Sequence, residues 1–522
     1  MCDPNTSTLS TLLQFLHIIL DGVLEFILGW ILGVKRHVPA PPNKEIEELL
    51  STSAVKLAGR IREGKLKSYE LVKAYYDRLL VVNRDLNAVV DGPFIEALDE
   101  AKLIDERFKN GDISEEELKR KPFLGVPFTT KDSTEVDGKL HTLGLISRRN
   151  KRGSKDAECV RLMKEAGAIF LATSNVPEVN KWIETRNMLI GQTKNPYDYR
   201  RSVGGSSGGE AALISACCTA FGLGTDIGGS IRIPAFNCGI FGHKPTKGVI
   251  NTRGCTFRSG NEVNTMVAAG PMARYADDLI QLMKVLTGPK MCKELQLESS
   301  VNLKTIQYFY IPSNSMIQCN PIGKDEQKLM INVCEHFKNV SGSDVKLSTL
   351  PHLDMTGKMW RYWMTQEPAN FNKLLGNGET LNPFFELFKK LFGRSEFTLA
   401  AIYSLIDALL PPEKEHKIRE ATKKCKEALN ELLRDNGVLF FHSSPRTAPF
   451  HYYPLIKFMD FSYFSIFNVL NVPVTQVPMG LDSKGMPMGI QIVASEMNDR
   501  LCLYVAKELE RKFGGWVKPY KY

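Results

Sequence analysis

The 522-residue chain has no C-x-x-C pair, no histidines at metal-ligand spacing, no long basic block and no internal repeat. Each absence removes a class of function. The eleven cysteines are scattered and odd in number, and Cys217 and Cys218 stand together in an apolar run read as a helix. They read as reduced, buried thiols of a cytosol-facing protein, not as a disulfide framework or a zinc site. Free cysteine packs as a small apolar residue, so none is assigned chemistry. None of the nine histidines suits a metal site, so neither metal nor cofactor is expected, and His243 in FGHKPTKG reads as structural. The net charge of +9 is a mild excess, 67 basic against 58 acidic residues. It lacks the clustered stripe that tracks nucleic acid, so no nucleic-acid partner is expected. The same excess is compatible with an anionic membrane face. No low-complexity block interrupts residues 45–519, and the composition, 43% apolar and 24% charged, is that of a globular protein.

What is present begins with an apolar N-terminus. Leu12 to Val34 reads LLQFLHIILDGVLEFILGWILGV, about 34 Å as a helix and long enough to cross a bilayer. No basic residue precedes it and no small-x-small cleavage site is evident, so a secretory signal is disfavoured. Lys35-Arg36-His37 follow, which puts the main domain on the cytosolic side if the helix spans. Gln14, His17, Asp21 and Glu25 recur every three to four residues and form one polar stripe. An acidic residue near the bilayer centre costs roughly 2.5–3.5 kcal/mol on insertion scales. The stripe therefore admits three arrangements: a spanning helix facing a partner, a helix lying flat in the interface, or a helix packed on the domain. The expectation is a membrane anchor, single-pass or monotopic, over residues 1–36, a Pro-rich linker over 37–44 and one large domain over 45–519.

Beyond Pro42 the pattern is α/β. Helical spacing runs over Ile46–Gly64, Ser68 is placed to cap Tyr69–Asn83, and helices follow over 94–110, 156–166, 276–286 and 501–512. Strands are expected at 123–132, 168–172, 305–311, 472–478 and 489–494. Their alternation with helices implies a sheet covered on both faces. Residues 383–410 stand apart as two short apolar helices hinged near Gly393. Phe384, Phe385, Phe388, Leu391 and Phe392 share a side with Lys389, Lys390 and Arg394 near it. That mixture suits a membrane-surface patch or the mouth of an apolar channel, and equally an ordinary core hairpin.

Residues 204–234 carry the chemistry. Eight glycines bracket two serine-bearing turns, GGSSGG and DIGGS, around the apolar run AALISACCTAFGL. Glycines this dense weaken helices and strands and serve tight turns or close backbone approach to a ligand. Backbone N–H groups freed in such turns can converge on an oxyanion. Ser230, at the end of the second turn, is then placed as a nucleophile. A flexible linker would not carry an apolar run in its middle.

These residues resemble the amidase signature family. GGSSGGEAALIS, six residues, then GLGTDIGGSIRIPA follows that family's signature nearly position for position. GVPFTTKD upstream, and GHKPTKG, AGPMARYADDL, VPVTQVPMGL and GMPMGIQIV downstream, are similar to further family blocks in the expected order. The resemblance spans about residues 45–515. Within the family, the apolar N-terminal helix and the closing FGGW are most similar to the fatty acid amide hydrolases. The resemblance implies a single large α/β/α domain around a mixed β-sheet. It also implies a Ser-Ser-Lys triad: Ser230 as nucleophile, Ser206 as bridge and Lys131 as base. It implies an oxyanion hole from the backbone N–H groups of Ile227, Gly228, Gly229 and Ser230. Ser207, Asp226 and Arg232 are supporting residues, Ser207 holding the loop and Asp226 with Arg232 pairing to fix it.

The chemistry agrees with these roles. An amide is a poor electrophile with a poor leaving group, so hydrolysis needs an activated nucleophile, an oxyanion site and a proton for nitrogen. An ordinary lysine is neutral in only roughly one molecule in 2,500 at pH 7. Burial beside Val126 and Phe128 would lower its pKa and supply a neutral amine. One departure stands out. Thr129-Thr130 precede Lys131 where the family often has an apolar residue, and the added hydroxyl could weaken that desolvation.

The function expected from the resemblance is hydrolysis of long-chain fatty acid amides to fatty acid and amine by a membrane-associated serine hydrolase. Its partners are a lipid amide and a membrane surface, and a homodimer is compatible with the sequence. Two rivals remain within the family: an amidase for soluble peptide amides or small carboxamides, and the glutaminase subunit of a tRNA-dependent amidotransferase. The N-terminal apolar helix and the absent basic stripe argue against the second. A catalytically silent membrane scaffold is disfavoured by Lys131, Ser206 and Ser230 all being present.

Overall fold

The computed structural model describes the backbone of residues 8–521 and the side chains of residues 17–521. An eleven-stranded mixed sheet organises the chain. Across it the strands run Val89–Asp91, Ile169–Ser174, Pro127–Lys131, Phe221–Asp226, Ala268–Ala273, Phe241–Lys244, Val474–Leu481, Pro487–Ala494, Gly437–His442, Gln307–Ile311 and Lys346–Leu347. Pro127–Lys131 is parallel to both its neighbours, Ile169–Ser174 and Phe221–Asp226. Gln307–Ile311 is likewise parallel to its two neighbours, and the remaining pairings are antiparallel.

Alternate residues of one strand enter two separate cores. Val438 and Phe440 join a cluster with Leu279, Leu282, Leu501 and Val505 from the helices Ala276–Glu294 and Asp499–Phe513. Leu439 and Phe441 join Phe464, Phe467, Ile418 and Leu429 from Ser462–Val469 and Glu415–Leu433. Successive side chains of a strand point to opposite faces, so helices cover both sides of the sheet, as the α/β/α expectation required. His243 is buried between Thr475 Oγ1 (2.8 Å) and Asp499 Oδ1 (3.1 Å), a satisfied core histidine.

Several element boundaries differ from those expected. Ile46–Gly64 is two helices, Lys44–Ser51 and Ala54–Arg62, because Ser53 leaves the helix to cap the second with its Oγ. Ser68 does not cap. It begins its own helix, Ser68–Leu86, and the carboxylate of Asp105 accepts from the N–H groups of Ser68 and Tyr69 (2.7 and 2.9 Å). A distant side chain does the capping, which no local pattern reveals. Cys217 and Cys218 lie just past the helix Gly208–Ser215, with Cys217 at φ 59°. All ten described cysteines are free thiols, nine of them buried. Residues 383–410 do form two helices, Pro383–Leu391 and Leu399–Asp407, and Gly393 turns between them at φ 66°.

The N-terminal helix, Thr8–Ile31, departs from the spanning expectation. Among the described residues no helix is long and apolar enough to cross a membrane. The polar stripe faces the domain. Asp21 is fully buried, where Lys457 Nζ (2.5 Å), Arg446 Nη1 (2.9 Å) and the Tyr453 hydroxyl reach its carboxylate. Glu25 pairs with Arg201 and Lys484. Gln14, assigned to the same stripe, lies outside the described side chains. The opposite side of the helix is open, with Phe26 77% and Trp30 80% exposed. Of the three arrangements weighed, the spanning one is set aside: the helix packs on the domain through its polar stripe and turns its apolar side outward.

Candidate active site

Two neighbouring parallel strands end at one edge of the sheet, and each delivers part of the site. Pro127–Lys131 ends in Lys131, and Phe221–Asp226 ends in Thr225 and Asp226. The carboxyl ends of parallel strands are where open α/β sheets present ligand-facing residues. The glycine-rich turn supplies the rest. Ser206 and Ser207 precede the helix Gly208–Ser215, and the Gly205–Ser206 peptide is cis.

Lys131 is completely buried. Its Nζ lies 2.8 Å from Ser206 Oγ, 3.1 Å from Ser207 Oγ and 3.2 Å from Thr225 Oγ1, and it forms no ion pair with a described residue. Burial pulls its pKa from the ordinary lysine range to about 7, against weaker opposing pulls from Cys255, Asp226 and Glu210. The two threonines ahead of it do not undo this. Thr129 Oγ1 donates to Glu210 Oε2 at 2.9 Å, and Thr130 Oγ1 points to the Leu223 carbonyl at 3.5 Å. Their hydroxyls are engaged elsewhere and bring no charge to the lysine. Burial raises the Glu210 carboxyl to about 7, against the pull of the Ser174 and Thr129 hydroxyls.

Ser230 is nearly buried but lines the cavity, and its hydroxyl makes no hydrogen bond among the described residues. Its carbonyl accepts from Ser207 N–H at 3.1 Å, which ties the two turns together. The loop before it is held by Asp226. Burial alone would raise this carboxylate, yet Arg232 grips it (Nε–Oδ2 3.0 Å, Nη2–Oδ1 3.0 Å) and holds its pKa at about 2. Asp226 also accepts from the N–H groups of Gly229 (2.7 Å) and Ile231 (3.1 Å). Of the four amides expected to face an oxyanion, that of Gly229 is thus engaged, while those of Ile227, Gly228 and Ser230 have no partner in the described chain. Gly229 sits at φ 114°, where a Cβ would meet Phe464 at 2.6 Å and Ile233 at 2.8 Å, so only glycine fits the turn.

A cavity of about 360 Å³ opens over these residues. Its floor holds Ser206, Thr225, Ile227, Gly228 and Ser230, and its walls include Trp182, Trp360, Phe371, Tyr403, Phe458 and Phe461. The wall reaches Leu410, at the end of the apolar hairpin. Among the described residues no group of histidine, cysteine or acidic side chains could hold a metal ion.

The family model described as Amidase matches residues 70–503. The chain belongs to the amidase signature family. Fatty-acid amide hydrolase 2 of Homo sapiens is 37% identical over 517 residues, covering 96% of this chain and 97% of that protein. Fatty-acid amide hydrolase 2-A of Danio rerio is 39% identical over 486 residues, 91% of each. A solved fatty acid amide hydrolase matches with a TM-score of 0.70 at 21% identity, covering 92% of this chain and 87% of that one. A glutamyl-tRNA(Gln) amidotransferase chain from Thermotoga maritima matches equally, TM-score 0.70 at 20% identity, covering 90% and 98%. At such identities the two structures share the fold alone. The curated relatives make this amidase a relative of fatty-acid amide hydrolase 2, in a family that acts on amides.

In this amidase several site residues carry no mark in the sequence or a faint one. Thr225 completes the oxygen shell of Lys131, and its place directly before DIGGS was the available signal. Trp360 donates from Nε1 to the Ile227 carbonyl (2.9 Å) and packs where a Gly228 side chain would stand. Asn468 donates to Asp226 Oδ1 (2.9 Å) and accepts from Arg232 (2.6 Å), while Gln491 accepts from Arg232 at 2.8 Å. All three stand far along the chain from the residues they touch, and nothing local marks them.

Proposed function

We propose that this amidase hydrolyses long-chain fatty acid amides to fatty acid and amine through an acyl-enzyme on Ser230. The observation that carries the reading is Lys131, buried 2.8 Å from Ser206 with no counter-ion among the described residues. With a pKa of about 7, roughly half of the lysine is neutral at pH 7. Neutral Lys131 takes a proton from Ser206, which takes one from Ser230. Ser230 Oγ attacks the amide carbonyl, and the charge gathers on oxygen opposite the free N–H groups of Ile227, Gly228 and Ser230. The relay run backwards protonates the departing nitrogen, and the C–N bond breaks to leave the acyl ester. Water, deprotonated through the same relay, then attacks the ester and restores Ser230. One base serves both halves of the reaction.

The lipid character of the substrate is supported by the aromatic walls of the cavity and by the kinship with fatty-acid amide hydrolase 2. The apolar hairpin at the cavity's edge adds to it, with Phe384 63% and Phe388 57% exposed beside Lys389 and Lys390. The open apolar side of the N-terminal helix adds a second surface of the same kind. We take both as monotopic contacts with a membrane. A comparison of oleamide with butyramide tests the substrate class. A kcat/KM for oleamide at least a hundredfold higher supports it, and equal values would place the protein with the amidases of small carboxamides.

A further inference from the structure

The wall of the catalytic cavity holds a cation that the proton relay does not use. Lys181 stands between Asn180 and Trp182, all three lining the cavity. Its ammonium lies 5.9 Å from the Phe371 ring centroid and makes no hydrogen bond or ion pair with a described residue. Burial lowers its pKa to about 8, and Asp407 pulls weakly the other way. The charged groups around it are already matched. Arg361 takes Asp407 (3.4 Å) and Glu413 (3.3 Å), Arg258 takes Glu367 (2.9 Å), and Arg232 takes Asp226. Lys358 and Asp354 also border the cavity but stand in solvent.

The segment that carries Lys181 is built to hold it there. Val179 and Asn180 both adopt left-handed backbone, φ 46° and 62°. A β-branched residue in that region persists only where its surroundings over-determine it. They do so here. The Glu178 carboxylate accepts from Thr398 N–H (2.9 Å) and Oγ1 (2.8 Å), Val179 N–H bonds the Leu143 carbonyl, and Asn180 Nδ2 bonds Thr256 Oγ1 (2.9 Å). An alkyl side chain at position 181 would suit an apolar wall better. Lys181 is only partly exposed, and its ammonium has no hydrogen-bond or ion-pair partner among the described residues, so an anion that enters the cavity can pair with it without breaking an existing one.

We propose that Lys181 forms an anion subsite inside the catalytic cavity, so that the preferred substrates are amides bearing one carboxylate. The carboxylate enters from either of two sources: the amine half, as in an N-acyl amino acid, or the far end of the acyl chain. This inference rests on the amide-hydrolase reading above and narrows its substrate class. Hydrolysis of such a substrate follows the same balance, with water supplying hydroxyl to the acyl group and a proton to the nitrogen. The carboxylate itself takes no part in bond making.

The test uses the full-length protein and kcat/KM for four amides. N-oleoylethanolamine and oleamide are neutral. N-oleoylglycine carries its carboxylate on the amine, and the monoamide of hexadecanedioic acid carries it on the acyl chain. The wild type should favour one acid over its neutral counterpart by about tenfold or more, a margin typical of a hydrogen bond to a charged group. Lys181→Met should erase that preference, mainly through KM, while leaving neutral amides within about twofold, and Lys181→Arg should keep it. The neutral rates also report that the variant is folded. Hydrolysis of oleamide with no preference for either acid, or an equal effect of Lys181→Met on all four amides, overturns the subsite and leaves the amidase reading standing. No turnover of any amide overturns both.

Discussion

Lys131 Nζ and Ser206 Oγ lie 2.8 Å apart in a wholly buried setting, with no described carboxylate in ion-pair reach of the lysine. That combination sets the sign of the pH response. Activity should rise with pH through an acidic limb centred at about 7, as Lys131 loses its proton. Lys131→Met should lower kcat by about 10²–10⁴-fold, the usual worth of a positioned base, and abolish that limb. The folded pKa lies below the unfolded one, so the unfolded chain binds the extra proton and this lysine destabilises the fold below about pH 10. The Met variant should therefore show a higher Tm at pH 7 than the wild type. A lower Tm with an intact acidic limb would count against the base assignment.

Arg232→Met should be severe for a different reason. It leaves the Asp226 carboxylate buried and unpaired, at a cost of about 3–5 kcal/mol. Denaturant unfolding at pH 7 measures it. Asp226 is held at about 2, below its ordinary pKa. The stability this pair contributes is present above about pH 4 and fades as pH falls toward about 2. The wild-type minus variant difference should shrink over that window.

Gly229→Ala tests the turn before Ser230. Its φ of 114° and the 2.6 Å approach to Phe464 forbid a side chain without movement. The substitution should cost about 1–3 kcal/mol and should slow acylation more than that loss explains, because the loop amides move with it. An Ala variant with wild-type kcat would show that the turn tolerates distortion.

The N-terminal helix is docked through Asp21. Asp21→Ala removes the partner of Lys457, itself nearly buried, and should cost about 3 kcal/mol. It should also open Lys35 and Arg36 to trypsin, followed by mass spectrometry. Unchanged Tm and cleavage would mean that the helix contributes nothing to the domain.

Much of the site was legible because it is local. The turns at 204–209 and 226–230 announce themselves by glycine spacing, and Lys131 by the resemblance of GVPFTTKD to a family block, since a lysine at a strand end is by itself an ordinary surface residue. The three-layer fold followed from alternating periodicities. What was hidden depends on distant partners. The N–H groups capping Ser68–Leu86 find Asp105, and Asp226 finds Asn468. Gly229 donates to Asp226 because of a turn geometry that residue types alone do not specify. The N-terminal segment misled because its apolar length is that of a spanning helix, while the Asp21 and Glu25 of its polar stripe have partners only in the folded domain.

The most direct measurement is covalent labelling with a fluorophosphonate, read by peptide mass spectrometry. The expected result is one modified residue, Ser230, no label in a folded Ser230→Ala protein, and strongly slowed labelling in Lys131→Met. A label on another serine, or labelling of Ser230→Ala at the wild-type rate, would contradict the assignment of Ser230 as nucleophile and Lys131 as its base.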